Sequence, residues 1–271
     1  KSKIAPLTPV DVKDLTSKKI EVSFYKSVGL AAGYRDEEYI SAGAKKISKL
    51  DEETLKPFNV ILSSTALKYE PIYRKTNPNQ LFMVNQTMVN DGKTLYHMVK
   101  YNNICLSTDC IHEDGVYPYN IPYEQVKGSY APLIAADLLI KNKKEASGKC
   151  LGSFNYSKQR VTFVILNFSY AGYYAAKNAL AIGANVIYLE SNKNYQDELK
   201  NDDVLNDLAK MNKSTFDVES AAYEDILRAC TKADVLIATN MLSTIRTSMR
   251  ITREMISKLQ PNGIYIDLAC E

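Results

Sequence analysis

The stretch Val161–Glu190, VTFVILNFSYAGYYAAKNALAIGANVIYLE, decides the fold. Its first six residues form a continuous apolar run rich in β-branched side chains, the pattern of a parallel strand buried on both faces. A short turn then leads into an alanine-rich helix over about Ala171–Ile182, closed by Gly183. Asn185–Leu189 reads as the next strand and ends at Glu190. A strand, a helix and a second strand at this spacing require a right-handed crossover and parallel pairing.

Working outward, the rest of the second half repeats the alternation. A polar segment runs through Met211, followed by a helix near Ala221–Thr231. Asp234–Thr239 (DVLIAT) reads as a third strand, Thr252–Leu259 as a helix, and Gly263–Leu268 (GIYIDL) as a fourth strand. This is at least half of a dinucleotide-binding sheet. The first half alternates too. Thr8 caps a helix to about Ser17, and Lys19–Tyr25 reads as a strand. A helix opens at the acidic run Asp36-Glu37-Glu38, at its positive end. Short apolar strands are expected at Asn59–Ser63, Leu81–Val84 and Asn103–Ser107, with a helix over Asp91–Tyr101. Residues 108–122 read as loop, and Pro122 to about Asn142 as helix. The expected fold class is therefore α/β with two domains, the second a Rossmann-like parallel sheet with helices on both faces. The division is placed at 1–145 and 146–271.

Composition narrows the function classes. The chain has 271 residues, 45% hydrophobic and 24% charged, with a net charge of +3. Disordered, collagen-like and disulfide-scaffolded classes are excluded, and the balance of charges argues against a nucleic-acid partner. Five scattered cysteines, an odd number, suit a reducing compartment. Cys105, Cys110 and His112, with His97 further off, match no standard zinc spacing, so no metal site is expected. No run approaches the roughly 20 apolar residues of a membrane span. Lys1 in place of Met, and an end directly after an apolar strand, read as the ends of a processed or partial chain.

The candidate site lies in the turn after the first strand of the second half. A working dinucleotide loop reads G-x-G-x-x-G, each glycine with its own task in turning, approaching the pyrophosphate or packing. Here it reads Asn167-Phe168-Ser169-Tyr170-Ala171-Gly172, and only the packing glycine, Gly172, remains. Asn167 tolerates a left-handed conformation better than most residues, whereas Ser169 carries a side chain where pyrophosphate should meet bare backbone. Glu190 stands at the strand end where an acid holds the ribose hydroxyls. Its alternative reading is a solvated strand-end charge. Thr239 ends the third strand of the same sheet. The candidate cofactor-binding residues are therefore Asn167, Ser169, Gly172, Glu190 and Thr239, in a degenerate site, and no catalytic residue is assigned.

These segments resemble the alanine dehydrogenase and proton-translocating NAD(P) transhydrogenase family, and within it the NAD(H)-binding α-subunit domain of the transhydrogenase. The resemblance rests on Lys3–Leu15 (KIAPLTPVDVKDL), Glu21–Ala44 (EVSFYKSVGLAAGYRDEEYISAGA), the βαβ stretch quoted above, and Ile251–Met255 (ITREM) with Ile266–Ala269 (IDLA). It spans nearly the whole chain and implies two α/β domains with NAD(H) in the cleft between them. It also implies a homo-oligomer, or a subunit of a multiprotein membrane-associated assembly, on the matrix side of the mitochondrial inner membrane or at a bacterial inner membrane.

The departures from the family pattern fall on its chemistry. Lys3 stands for the opening arginine and cannot grip a carboxylate bidentately. Tyr69 falls where the dehydrogenase has its substrate lysine, and Asn85-Gln86-Thr87 offers no histidine where its catalytic one is expected. Cys110–Tyr117 lacks the Arg and Gln of the nicotinamide loop, and Ser243–Ser248 replaces a proline-rich segment. The leading expectation is a member that has lost catalysis and acts as an accessory or structural subunit. The alternatives are an active NAD(H)-binding transhydrogenase domain and, behind it, an amino-acid dehydrogenase. NAD(H) is accordingly the implied cofactor, either retained or lost.

Overall fold

The structure is a computed structural model that describes residues 4–64, 80–84, 92–113, 116–141, 149, 151, 160–239 and 251–268. The chain divides into two compact units, Lys1–Tyr119 and Asn120–Glu271.

In the first unit, Thr8 and Asp11 cap helix α1 (Pro9–Ser17) reciprocally. The elements that follow are β1 (Ser23–Tyr25), α2 (Asp36–Ser41), β2 (Lys45–Ile47), α3 (Glu52–Leu55), β3 (Val60–Ser63), β4 (Leu81–Val84), α4 (Gly92–Lys100) and β5 (Ile104–Ser107). Strands β1 and β2 pair in parallel over a small core of Val12, Phe24, Tyr39 and Ala44. A second parallel sheet, in the order β3-β4-β5, packs on Leu55, Phe82, Val84 and Met98. The strand expected over Lys19–Tyr25 shortens to three residues. Lys19 takes a φ of 63° and still bonds back to the end of α1, so extended backbone cannot begin there. Strand β2 and helix α3 escaped the sequence reading because elements of three or four residues are too short to show a period.

The second unit begins with α5 (Ile121–Lys141) and continues with β6 (Thr162–Leu166), α6 (Tyr170–Ala181), β7 (Asn185–Glu190), α7 (Lys193–Lys200), α8 (Asp203–Met211), β8 (Phe216–Ser220), α9 (Tyr223–Cys230), β9 (Val235–Ala238), α10 (Arg253–Ser257) and β10 (Ile264–Asp267). The five strands pair in parallel in the order β10-β9-β6-β7-β8. Alternate residues of the central strands face opposite layers. Phe163, Ile165, Val186, Tyr188, Val235 and Ile237 pack on the alanines of α5 and α6 and on α8. Val164, Leu166, Ile187, Leu189 and Leu236 pack on α9 and α10. Both faces are thus covered, as the uninterrupted apolar runs anticipated.

Helix α5 packs within this second unit. A Cβ on Gly128 would lie 2.1 Å from the Ala171 carbonyl oxygen, so α5 crosses the first turn of α6 at bare-backbone distance. The Asn178 side chain donates to the Ser129 carbonyl across the same contact (2.9 Å). The polar segment 191–211 folds as two amphipathic helices, and β8 adds an edge strand that its half-exposed FDVES sequence did not announce. At the opposite end of the sheet, Lys149 Nζ reaches both Asp234 oxygens at 2.8 Å, and Asp234 accepts the Thr162 amide (2.9 Å). Among the described residues no helix is long and apolar enough to cross a membrane.

Candidate functional site

The strand order reverses direction of growth between β6 and β9, and in such sheets ligands enter the crevice at the carboxyl ends of those two strands. Four of the five candidate residues meet there, and the fifth, Glu190, closes the end of neighbouring β7. Beyond Leu166 the chain turns at Asn167 with φ 74°, the left-handed conformation that the first glycine of the loop would supply. Asparagine reaches it at modest cost because its short amide bonds locally. Here Nδ2 of Asn167 donates to the Thr239 carbonyl at 3.0 Å.

Ser169 is the N-cap of α6. Its Oγ accepts the Gly172 amide at 3.0 Å and donates to Thr239 Oγ1 at 2.9 Å. Thr239 Oγ1 lies 2.9 Å from the Asn167 carbonyl and 3.0 Å from that of Leu166, so its single proton is held at the root of the loop. All three side chains are buried. Together they bridge the carboxyl ends of β6 and β9.

Glu190 is only 1% exposed. Its Oε2 accepts the Phe168 amide at 2.6 Å, and its Oε1 accepts the Asn192 amide at 2.7 Å and the Ser191 hydroxyl at 3.3 Å. The carboxylate fastens the loop to the end of β7 through charge-assisted bonds. The reading of Glu190 as a solvated charge is overturned by this burial. Phe168 stacks on Tyr195 of α7, with ring centroids 4.7 Å apart.

Beneath the loop lies a residue that the sequence reading missed. Tyr188 of β7 is fully buried and donates its hydroxyl to the Asn167 carbonyl at 3.1 Å. Burial, reinforced by the charge of Glu190, raises its phenol well above the ordinary tyrosine range, so it is held neutral. A Cβ on Gly172 would stand 2.1 Å from this hydroxyl and 2.8 Å from the Asn167 carbonyl oxygen, so Gly172 keeps the packing role of the third glycine. The available signal was period two. Tyr188 shares a strand face with Val186, and that face looks toward α6. Asn167 Oδ1 is buried and meets no donor in the structure described.

The other sequence-derived positions fall elsewhere. His97 lies on α4, and His112 packs its ring against Tyr117 at 5.4 Å, with Cys110 exposed nearby. No metal-holding group of His, Cys, Asp and Glu occurs among the described residues. Lys3, Tyr69, Asn85–Thr87 and Ser243–Ser248 lie outside the described residues.

A five-stranded parallel sheet of this order, covered on both faces and carrying a strand–turn–helix at its switch point, defines a protein of the dinucleotide-binding α/β class. Residues 2–117 match the family model "Alanine dehydrogenase/PNT, N-terminal domain", and residues 131–271 match "Alanine dehydrogenase/PNT, C-terminal domain". The chain belongs to the alanine dehydrogenase/PNT family, a family of NAD(H)-binding domains. An alanine dehydrogenase of Bacillus subtilis (strain 168) is 25% identical over 267 residues, covering 98% of this chain and 66% of the relative. The chain thus spans about two thirds of the length of the curated relatives it matches. Among solved structures, an L-alanine dehydrogenase superposes with a TM-score of 0.77 at 17% identity, over 97% of this chain and 70% of the other. A transhydrogenase from Sinorhizobium meliloti gives 0.71 at 16% identity, over 96% and 72%. Both likenesses are of fold.

Proposed function

We propose that this chain is a non-catalytic member of its family, serving as an accessory or structural subunit, with its nucleotide crevice closed by its own side chains. The observation that carries the reading is the bridge from Asn167 and Ser169 to Thr239. A pyrophosphate bound in the usual way needs bare backbone at the second loop position and free amides at the helix N-terminus. Ser169 fills that position and already caps the Gly172 amide. A ribose diol needs a carboxylate facing the crevice, and Glu190 is instead buried and engaged by two backbone amides. The residues present do not fit NAD(H) held in that manner. The proposal extends to a membrane-associated assembly, on the matrix side of an inner membrane, as the place where such a subunit acts.

A second reading, an active NAD(H)-binding transhydrogenase domain, is favoured by two retained features. They are the left-handed turn at Asn167 and the tight packing at Gly172. Amino-acid dehydrogenation is less favoured, since Tyr69 stands for the family's substrate lysine.

Thermal unfolding of the purified chain with increasing NADH separates the two readings. Ligand at about 100 times its Kd stabilises the native state by about 2.7 kcal/mol. The closed crevice predicts no shift in Tm up to millimolar NADH. A saturable rise in Tm sinks the non-catalytic reading and supports the second.

A further inference from the structure

Helix α5 is apolar on two opposite faces. Its inner face, Gly128, Ala131, Pro132 and Ala135, is buried in the second unit. Its outer face carries Val126, Tyr130, Leu133, Ile134 and Leu138, all exposed, with Tyr130 61% accessible. A surface helix of an isolated protein turns a polar face outward, and a contiguous exposed apolar face marks a contact surface. Val126, Tyr130 and Leu133 follow the four-then-three spacing of a helix–helix seam.

We propose that this outer face is a two-fold contact between two copies of the chain, with the two α5 helices packed antiparallel. The sequence of the helix is self-complementary about the level of Pro132. Val126 and Leu138, Lys127 and Asp137, and Tyr130 and Ile134 each stand equally far to either side of it. A two-fold axis there sets Val126 of one copy against Leu138 of the other, and Tyr130 against Ile134. It also sets Lys127 against Asp137 at both ends of the contact. An isologous interface demands this kind of self-complementarity. Parallel packing would oppose Lys127 to Lys127 and Asp137 to Asp137, which costs free energy. A lipid surface is a poorer occupant, because a membrane-lying helix is rich in basic residues on its polar face, whereas here both signs flank the apolar strip. Within one copy, Lys127 pairs with Glu124 at 3.0 Å and Lys141 with Asp137. Both pairs are at the rim, free to rearrange on contact.

The proposal holds whether or not nucleotide binds, and sedimentation of the full chain across the micromolar range tests it. A reversible monomer–dimer equilibrium is expected. Leu133→Glu, at the centre of the face, should raise Kd about tenfold or more. Lys127→Glu and Asp137→Lys should each weaken association a few-fold. Combined, they should restore it to within about twofold of the parent. Circular dichroism confirms that each surface variant is folded. A monomer at every concentration, a dimer indifferent to Leu133→Glu, or a double reversal that fails to restore association overturns the proposal. So does association that appears only when a different protein is added.

Discussion

The packing of Tyr188 under the loop makes a quantitative prediction for Gly172→Ala. The new Cβ would stand 2.1 Å from the Tyr188 hydroxyl and 2.8 Å from the Asn167 carbonyl oxygen, both well inside contact distance. The ring is fully buried and the carbonyl is backbone, so neither neighbour can swing aside. Overpacking of this kind costs about 1–3 kcal/mol, and two unyielding neighbours place it near the upper end. Alanine recovers up to about 1 kcal/mol of helix propensity, leaving a net loss near 2 kcal/mol. Tyr188→Phe removes one hydrogen bond, worth about 1 kcal/mol, while the Asn167 carbonyl keeps the Thr239 hydroxyl at 2.9 Å. In the double variant the obstructing oxygen is gone and the nearest ring atom is Cζ, 3.2 Å away, although the carbonyl at 2.8 Å remains. The double variant should therefore be about 1–2 kcal/mol more stable than the sum of the single effects. Urea unfolding closes the cycle, with hydrogen exchange over β6 and α6 reporting the second unit by itself. Additivity within about 0.5 kcal/mol would refute the placement of the Tyr188 hydroxyl beneath Gly172.

Other expectations can be checked alongside it. Glu190→Gln trades a carboxylate that accepts two amides for a group that must turn an N–H toward one of them, so stability should fall by about 1.5–3 kcal/mol without any nucleotide; unchanged urea unfolding would return Glu190 to a ligand-facing role. Replacing Asn167 and Ser169 together by glycine removes a cap and a bridge, and should cost about 1–3 kcal/mol. It should not restore NADH binding, because Glu190 stays engaged; a saturable Tm shift in that variant contradicts the account of the closed crevice. Burial pushes the Cys230 thiol up to about 11, leaving about 0.1% thiolate at pH 8, while Cys110 is exposed. Peptide mapping after alkylation should find Cys110 modified early and Cys230 only on unfolding. The Lys46 ammonium and the Ser27 amide hold the Asp36 carboxyl below its ordinary value of 3.8. The stabilisation this gives is full above about pH 4 and is lost as pH falls through the folded-state value. Lys46→Ala should flatten the acid limb of a stability–pH curve, and an unaltered limb counts against the pair.

The second unit was legible where burial is two-sided. Strands β6 and β9 read as continuous apolar runs because helices cover both their faces, and the crossover from β6 through α6 to β7 leaves one handedness open. Edge strand β8 was not legible. FDVES alternates weakly, since its residues are at most half buried and charged side chains are tolerated there. Helices α7 and α8 hid in a segment whose polar surface outweighs its narrow buried stripes of Leu199, Leu205 and Ala209. At the site, positions were legible and partners were not. Spacing placed Glu190 at the end of a strand, but only the fold shows that its oxygens are spent on the Phe168 and Asn192 amides. Tyr188 read as one more aromatic strand residue, because its hydroxyl acquires meaning only against Gly172 across the layer.

The loop residues behave as one unit, which bears on how the crevice should be read. Serine at the second loop position is tolerable because Thr239 Oγ1 receives its proton and the Gly172 amide satisfies its lone pair. Thr239 in turn can bury its hydroxyl because the carbonyls of Leu166 and Asn167 accept from it. The Asn167 carbonyl is oriented by the left-handed turn and anchored a second time by Tyr188. Each buried polar group in this chain answers another, and an unpaired one would cost about 1–3 kcal/mol. Only Asn167 Oδ1 stands outside the circuit. Drift at a site under no constraint would scatter unpaired polar groups rather than close them into a network. The stability of the loop therefore rests on its present residues as a set, and a path back to an open phosphate cradle has to change several of them at once.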